Sequence, residues 1–146
     1  MGMSNMQIKT KRLTPEAKLP TYATDGSGCF DIYTTNSGLV DNSFVFDTGL
    51  SFEIPVGYVM LVFSRSGHGF KNDIRLANCV GIIDSDYRGE LKVKLTNDGE
   101  DFFVVHVGDR IAQAMVIPFE QVQFLEVDAL SSTIRGDGGF GSTGLQ

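Results

Sequence analysis

The 146-residue chain has no tryptophan, four prolines and two cysteines. Two cysteines cannot build a disulfide framework, and neither Cys29 nor Cys79 has a CxxC neighbour or a metal-spaced histidine. They read as small buried hydrophobes in a reducing compartment. No apolar stretch reaches the roughly 18 residues that a membrane span requires. The polar start, Met1 to Gln7, lacks the apolar centre of a signal peptide. No segment sustains a 3.6-residue apolar period, so long amphipathic helices are excluded as well. Basic residues are in short supply too: 12 against 18 acidic ones, for a net charge of −6. A surface of that sign argues against direct nucleic-acid binding, which needs a basic stripe. It leaves room for a small anionic ligand held by a few local arginines. The expectation is a cytoplasmic protein (host cytoplasm for a viral source) that makes no membrane contact.

What the chain does have is glycine, 17 residues of it, together with 11 phenylalanines and 42% hydrophobic residues. An average domain holds about 7% glycine. A collagen period is absent, and the apolar content suffices for a core in one domain. Strand signals dominate. Gly57 to Phe63 is a short apolar run after Pro55, and Glu90 to Thr96 alternates, with Leu91, Val93 and Leu95 on one face. Asn97-Asp-Gly-Glu100 followed by Phe102 to His106 predicts a hairpin with that strand. Further strands are expected at Gln7–Lys11, Cys29–Tyr33, Phe44–Phe46, Leu50–Ile54, Val80–Ile83, Ile111–Pro118 and Gln121–Val127. One short helical turn fits around Gly67 to Asp73. His68 reads as a surface or loop residue and His106 as a strand end. Many short strands with regular turns predict an all-β sandwich, jelly roll or barrel.

The last twelve residues differ in kind. Arg135-Gly-Asp-Gly-Gly-Phe-Gly-Ser-Thr-Gly144 holds five glycines and one large apolar residue, so alone it should be a mobile tail. Its glycines match both a dinucleotide pattern and a degenerate P-loop, but each needs a helix to follow, and too few residues remain. The Arg135-Gly136-Asp137 adhesion tripeptide reads as chance. The underlying chemistry survives: glycines let backbone N–H groups approach phosphate oxygens, Ser142 and Thr143 add hydroxyls, and Arg135 adds a charged fork. Phe140 either anchors the tail on the domain or stacks on a flat ligand.

A second dense region comprises Ser64-Arg-Ser-Gly67 and Asn78 to Glu90. Asp84 and Asp86 straddle Ser85. In a strand they would share a face at a cost in like-charge repulsion; as a turn, Asp-Ser-Asp is ordinary. Arg65, Arg88, Arg110 and Arg135 each lie within two residues of a glycine, which is the composition of a phosphate cradle.

These residues resemble the homotrimeric dUTPases, the deoxyuridine triphosphate nucleotidohydrolases. The resemblance runs through five segments in the family's order: Ala23 to Ile32, Ser64 to Gly67, Gly81 to Glu90, Gly108 to Gln113, and Arg135 to Gly144. It implies a jelly-roll-like distorted β-barrel over residues 1–134 and a flexible arm, 135–146, that closes over the active site. It implies a homotrimer with sites at subunit interfaces, and Mg²⁺-dependent hydrolysis of dUTP to dUMP and pyrophosphate. That reaction would keep uracil out of DNA and supply dUMP for thymidylate synthesis. By position, Asp84 would activate the attacking water, with Ser66 and Arg135 completing the catalytic set. Tyr87 would pack on the deoxyribose, and Asn78, Gly81, Ile83 and nearby backbone would read uracil. Arg65, Ser66, Gly67, Gln113, Arg135, Gly141, Ser142 and Thr143 would hold the phosphates. Phe140 would stack on uracil, and Asp31 would support Mg²⁺ through water, the ion being held mainly by substrate phosphates. Ser64 stands where the family usually has proline, and His68 and Phe70 stand where small or apolar residues are common. The related dCTP deaminases share the fold, but their signature is not seen, and a non-catalytic jelly roll would leave these segments unexplained.

Overall fold

The computed structural model describes residues 6–144; the first five residues of the polar N-terminus and the last two of the tail lie outside it. In chain order the elements are β1 (Lys9–Arg12), β2 (Phe30–Tyr33), β3 (Gly38–Val40), β4 (Ser43–Asp47), β5 (Leu50–Glu53), β6 (Tyr58–Phe63), α1 (Ser66–Asn72), β7 (Ile74–Leu76), β8 (Gly81–Ile83), β9 (Lys92–Asn97), β10 (Phe103–Val105) and β11 (Arg110–Pro118). The all-β expectation holds, with the predicted short helical turn realised as α1.

The strand pairs nest like brackets. β4 pairs with β9, β3 with β10, and β2 with β11, all antiparallel. A long ribbon folded back on itself and rolled into a barrel produces this nesting, which is the jelly-roll pattern. The widest sheet has the order β2-β11-β6-β8. β9 alternates as its sequence demands: Val93 and Leu95 are buried, Lys92 and Lys94 exposed. These residues join Ile32, Val40, Phe46, Leu50, Met60, Val62, Ile74, Leu76 and Ile111 in one continuous core. Burying a side chain of this size is worth about 1.5–3 kcal/mol.

The predicted hairpin after β9 does not form. Both edges of β9 are occupied, by β4 and β7, so β10 crosses to β3 instead. The Asn97 to Glu100 turn exists, but it connects different sheets. Asn97 itself is buried: its amide nitrogen donates to the carbonyls of Val40 (2.9 Å) and Asp101 (2.7 Å), and its oxygen accepts from the Gly99 N–H (2.9 Å). The strand expected at Gln121–Val127 is also absent. Residues 119–134 run without regular structure, and Phe124, Leu125, Leu130 and Ile134 are 96%, 85%, 88% and 108% exposed. The segment has strand-like composition but pairs with no strand among the described residues.

Candidate active site

The site is built around the far end of β6. Gln113 on β11 lies opposite Asp31 on β2 and Phe63 on β6. Its side-chain amide donates to the Ser64 carbonyl at 2.9 Å. The Ser64 hydroxyl accepts the Leu76 N–H at 2.9 Å, which ties the chain leaving β6 to β7. These two bonds fix the start of the Ser64-Arg-Ser-Gly67 segment where a proline would otherwise stiffen it. α1 begins immediately afterwards, with Arg65 as its N-cap and Ser66 exposed in its first turn.

Arg65 points across to β11. Its Nη1 donates to the Arg110 carbonyl at 3.3 Å and lies 3.1 Å from Nε2 of His68. Arg110 in turn pairs with the Asp31 carboxylate at 3.5 Å. The turn that delivers Arg110 closes through Gly108, whose N–H reaches the Thr34 carbonyl at 2.9 Å. Gly108 has a φ of 87°, a backbone state that a side chain would strain.

Two residues bear on this cluster in ways that sequence reasoning missed. His68 is neither a surface nor a loop residue: it sits in α1, half-buried, with its ring edge against Phe103 at 5.0 Å. Burial and the neighbouring Arg65 guanidinium hold its pKa below the ordinary histidine value. Arg110 was visible only as one of several arginines beside glycine. The signal for His68 was an unusual residue at an otherwise familiar spacing; Arg110 lies within the Gly108 to Gln113 segment.

The second part of the site is the segment from Asn78 to Glu90. Gly81 lies opposite Val62 in the β6–β8 ladder, with the Asn78 side chain beside it. Cys79, expected to be buried, is exposed and occupies a left-handed turn with φ 64°. That turn places Asn78 at the β6 end where Ser64 begins. Beyond Ile83 the chain leaves the strand, and the Tyr87 N–H closes onto the Asp84 carbonyl at 3.2 Å. Asp84 and Asp86 are therefore turn residues rather than neighbours on one strand face. Ile83, Asp84, Tyr87, Glu90 and Leu91 line an open cavity of about 240 Å³. The Tyr87 hydroxyl donates to the Glu90 carbonyl at 2.9 Å, so the ring is folded back over Gly89. A Cβ on Gly89 would collide with that ring, 2.6 Å from its Cζ.

The parts are not all brought together. Arg65, Ser66, Gly67, Gln113, Asp31, Asn78 and Gly81 gather at one end of the sheet. Asp84 lies beyond Ile83, which pairs with Met60, three strand positions away from that end, or roughly 10 Å at the rise of a β-strand. The tail is separate again. Among the described residues its hydrogen bonds are internal or reach only Thr133: Arg135 Nε to the Gly138 carbonyl at 2.8 Å, the Ser142 N–H to Gly139, and the Gly136 N–H to Thr133. Gly141, Ser142 and Thr143 are exposed. Phe140 is fully exposed, so it does not anchor the tail on its own domain.

Among the described residues, no three His, Cys, Asp or Glu side chains converge on a position that would hold a metal by protein ligands alone. A Mg²⁺ ion prefers waters and substrate phosphates with one or two carboxylates. The lone Asp31 carboxylate beside Gln113 fits that donor set.

The sequence pattern that defines the dUTPases matches residues 15–144. The chain belongs to the dUTPase family. Over 141 residues it is 43% identical to the deoxyuridine 5'-triphosphate nucleotidohydrolase of Nautilia profundicola, covering 95% of this chain and 99% of that one. The Helicobacter hepaticus relative of the same name is 43% identical over 146 residues, covering 98% and 92%. Among solved structures, a mutant dUTPase of Staphylococcus bacteriophage 80alpha with dUpNHpp superposes at TM-score 0.88 and 26% identity, covering 97% of this chain and 100% of that one. A mutant dUTPase from phage phi11 of S. aureus, described as revealing the coordination of a structural Mg(II) ion, shares the fold at TM-score 0.79 and 21% identity, over 87% of this chain and 100% of that one. The dUTPase fold thus accounts for the nested β-barrel.

Proposed function

We propose that the protein hydrolyses dUTP to dUMP and pyrophosphate by attack of an Asp84-activated water on the α-phosphorus, in a site shared between subunits of a trimer. That it is an enzyme hydrolysing dUTP follows from its family. The observation that carries the finer reading is the cavity beside Asp84, walled by Ile83 and the folded-back ring of Tyr87. A sugar seated on that ring has little room for a 2′-hydroxyl. Asn78, Gly81 and the backbone from Val80 to Asp84 supply donors and acceptors that can read uracil. A pocket closed around the base there would exclude the 5-methyl of thymine, and reversed donor–acceptor polarity would exclude cytosine.

Phosphoanhydride cleavage needs charge stabilisation, in-line positioning and an oriented water. Arg65, Ser66, Gly67 and Gln113 would hold phosphate oxygens from the barrel. Arg135, Gly141, Ser142 and Thr143 would hold them from the arm, while Phe140 stacks on the base. Asp84 would accept the water's proton. Mg²⁺, bound mainly through the phosphates with Asp31 behind its water shell, would supply further neutralisation of the triphosphate. The product dUMP serves thymidylate synthesis, and loss of dUTP keeps uracil out of DNA.

A shared site is supported by the separation of its parts within one chain and by the exposed apolar side chains of residues 119–134. Apolar surface of that kind commonly marks an interaction face, and a second copy of the chain is the occupant that would also complete the site. Co-expression of Asp84→Asn with a chain truncated before Arg135 tests this arrangement. Each alone is expected to be inactive; mixed oligomers should recover part of the activity. No recovery in verified mixed oligomers would put all the catalytic parts on one chain.

A further inference from the structure

We infer that His68 is a positioning residue for the Arg65 fork: its neutral imidazole takes one of the two Nη1 protons, and the Arg110 carbonyl takes the other. Nη1 contacts these two acceptors at 3.1 and 3.3 Å. A guanidinium has five N–H donors in a fixed plane and no acceptor. With Nη1 committed on both protons, the Nε–H and the Nη2 edge remain, and they have no hydrogen-bond partner among the described residues. That edge is the side-on fork that grips an oxyanion with two parallel bonds. Arg75 uses the same Nε and Nη2 pair on the Asp98 carboxylate, at 2.7 and 3.2 Å.

The tautomer follows from the chemistry. Because Arg65 can only donate, Nε2 of His68 accepts, and the ring proton sits on Nδ1. Nδ1 is buried and has no partner among the described residues. An unpaired buried N–H is destabilising, so packing alone is a poor account of histidine here. An apolar side chain could fill the same space against Phe103 without that cost. A merely structural position would favour one.

The arrangement is sensitive to pH. The groups facing the ring are Arg65 from its own segment, and Asp109 and Arg110 from the entry to β11, with Phe103 contributing only its ring. Protonation turns Nε2 into a donor beside a guanidinium, which removes the hydrogen bond and sets two cations against each other. Burial and Arg65 keep the imidazole neutral to a lower pH than a free histidine. The fork is therefore held at neutral pH and released as the pH falls below the ordinary histidine range.

The inference rests on the reading of Arg65 as a phosphate-binding residue, and the test separates the two. KM and kcat for dUTP are measured for wild type, His68→Leu, His68→Gln and Arg65→Leu. Gln offers an acceptor near the position of Nε2; Leu fills the space without one. His68→Leu is expected to raise KM about five- to tenfold, the scale of one net hydrogen bond, with kcat within about twofold. His68→Gln should restore KM to within about twofold of wild type. The wild-type KM should rise more steeply below about pH 6.5 than that of His68→Gln; substrate ionisation is common to both. Indistinguishable Leu and Gln variants, or superposable pH profiles, would overturn the positioning role. An unchanged KM in Arg65→Leu would instead remove Arg65 from the phosphate site, and the inference with it.

Discussion

Gln113 on β11 donates its amide to the Ser64 carbonyl at 2.9 Å, so a side chain expected to meet phosphate also holds the segment that presents Arg65. Gln113→Leu should therefore impair two functions at once. The expected outcome is a drop in kcat/KM for dUTP of about 10²-fold, the usual cost when a positioning contact is lost at a phosphoryl-transfer site. Because Gln113 is only partly buried, the melting temperature should change by only a few degrees. Steady-state kinetics and a thermal melt on the same preparation check both halves.

Asp84→Asn keeps the size of the side chain but removes the proton acceptor. Turnover should fall about 10²–10⁴-fold, the range for loss of a general base. Affinity for a non-hydrolysable dUTP analogue should stay within about threefold, since Asn still fills the turn that Tyr87 closes. Calorimetric titration together with single-turnover kinetics separates the two. Near-normal turnover would remove Asp84 from its role.

Gly89 bears on specificity through Tyr87. In Gly89→Ala the new methyl occupies space held by the tyrosine ring, and the ring must rotate away from the Glu90 carbonyl. The predicted result is a loss of about tenfold in kcat/KM for dUTP and a narrower preference for dUTP over UTP. Discrimination of this kind is a ratio of kcat/KM values. An unchanged ratio would mean that Tyr87 does not face the sugar.

Asn97 tests the fold rather than the site. Asn97→Ala leaves the Val40 and Asp101 carbonyls and the Gly99 N–H without their side-chain partner. A loss of about 1–3 kcal/mol is expected for such buried groups. The transition midpoint in urea should move at fixed protein concentration, with its slope unchanged. Activity at low temperature should be close to wild type.

The barrel was legible because β9, β6 and β11 have strong apolar patterns that match their burial. Its connectivity was not. A turn sequence such as Asn97 to Glu100 states that the chain reverses, but not which strand edge is free afterwards. That depends on β4 and β7 having already taken both sides of β9. Residues 121–127 show the same limit in the other direction: strand composition that pairs with no strand among the described residues. At the candidate site, Asp84 and Tyr87 stand out through the resemblance of Gly81 to Glu90 to the dUTPases, and the tail through its glycine content. The Arg65–His68 contact could not, because it depends on how α1 lies against β10 and β11.

The central claim is tested most directly by pyrophosphate release from dUTP, dCTP, dTTP and UTP, each assayed with Mg²⁺ and again after chelation. The account predicts rapid release from dUTP, at least about 10²-fold slower release from the other three, and near-complete loss without the metal. Ammonia release from dCTP, or equal pyrophosphate release from all four nucleotides, would contradict it.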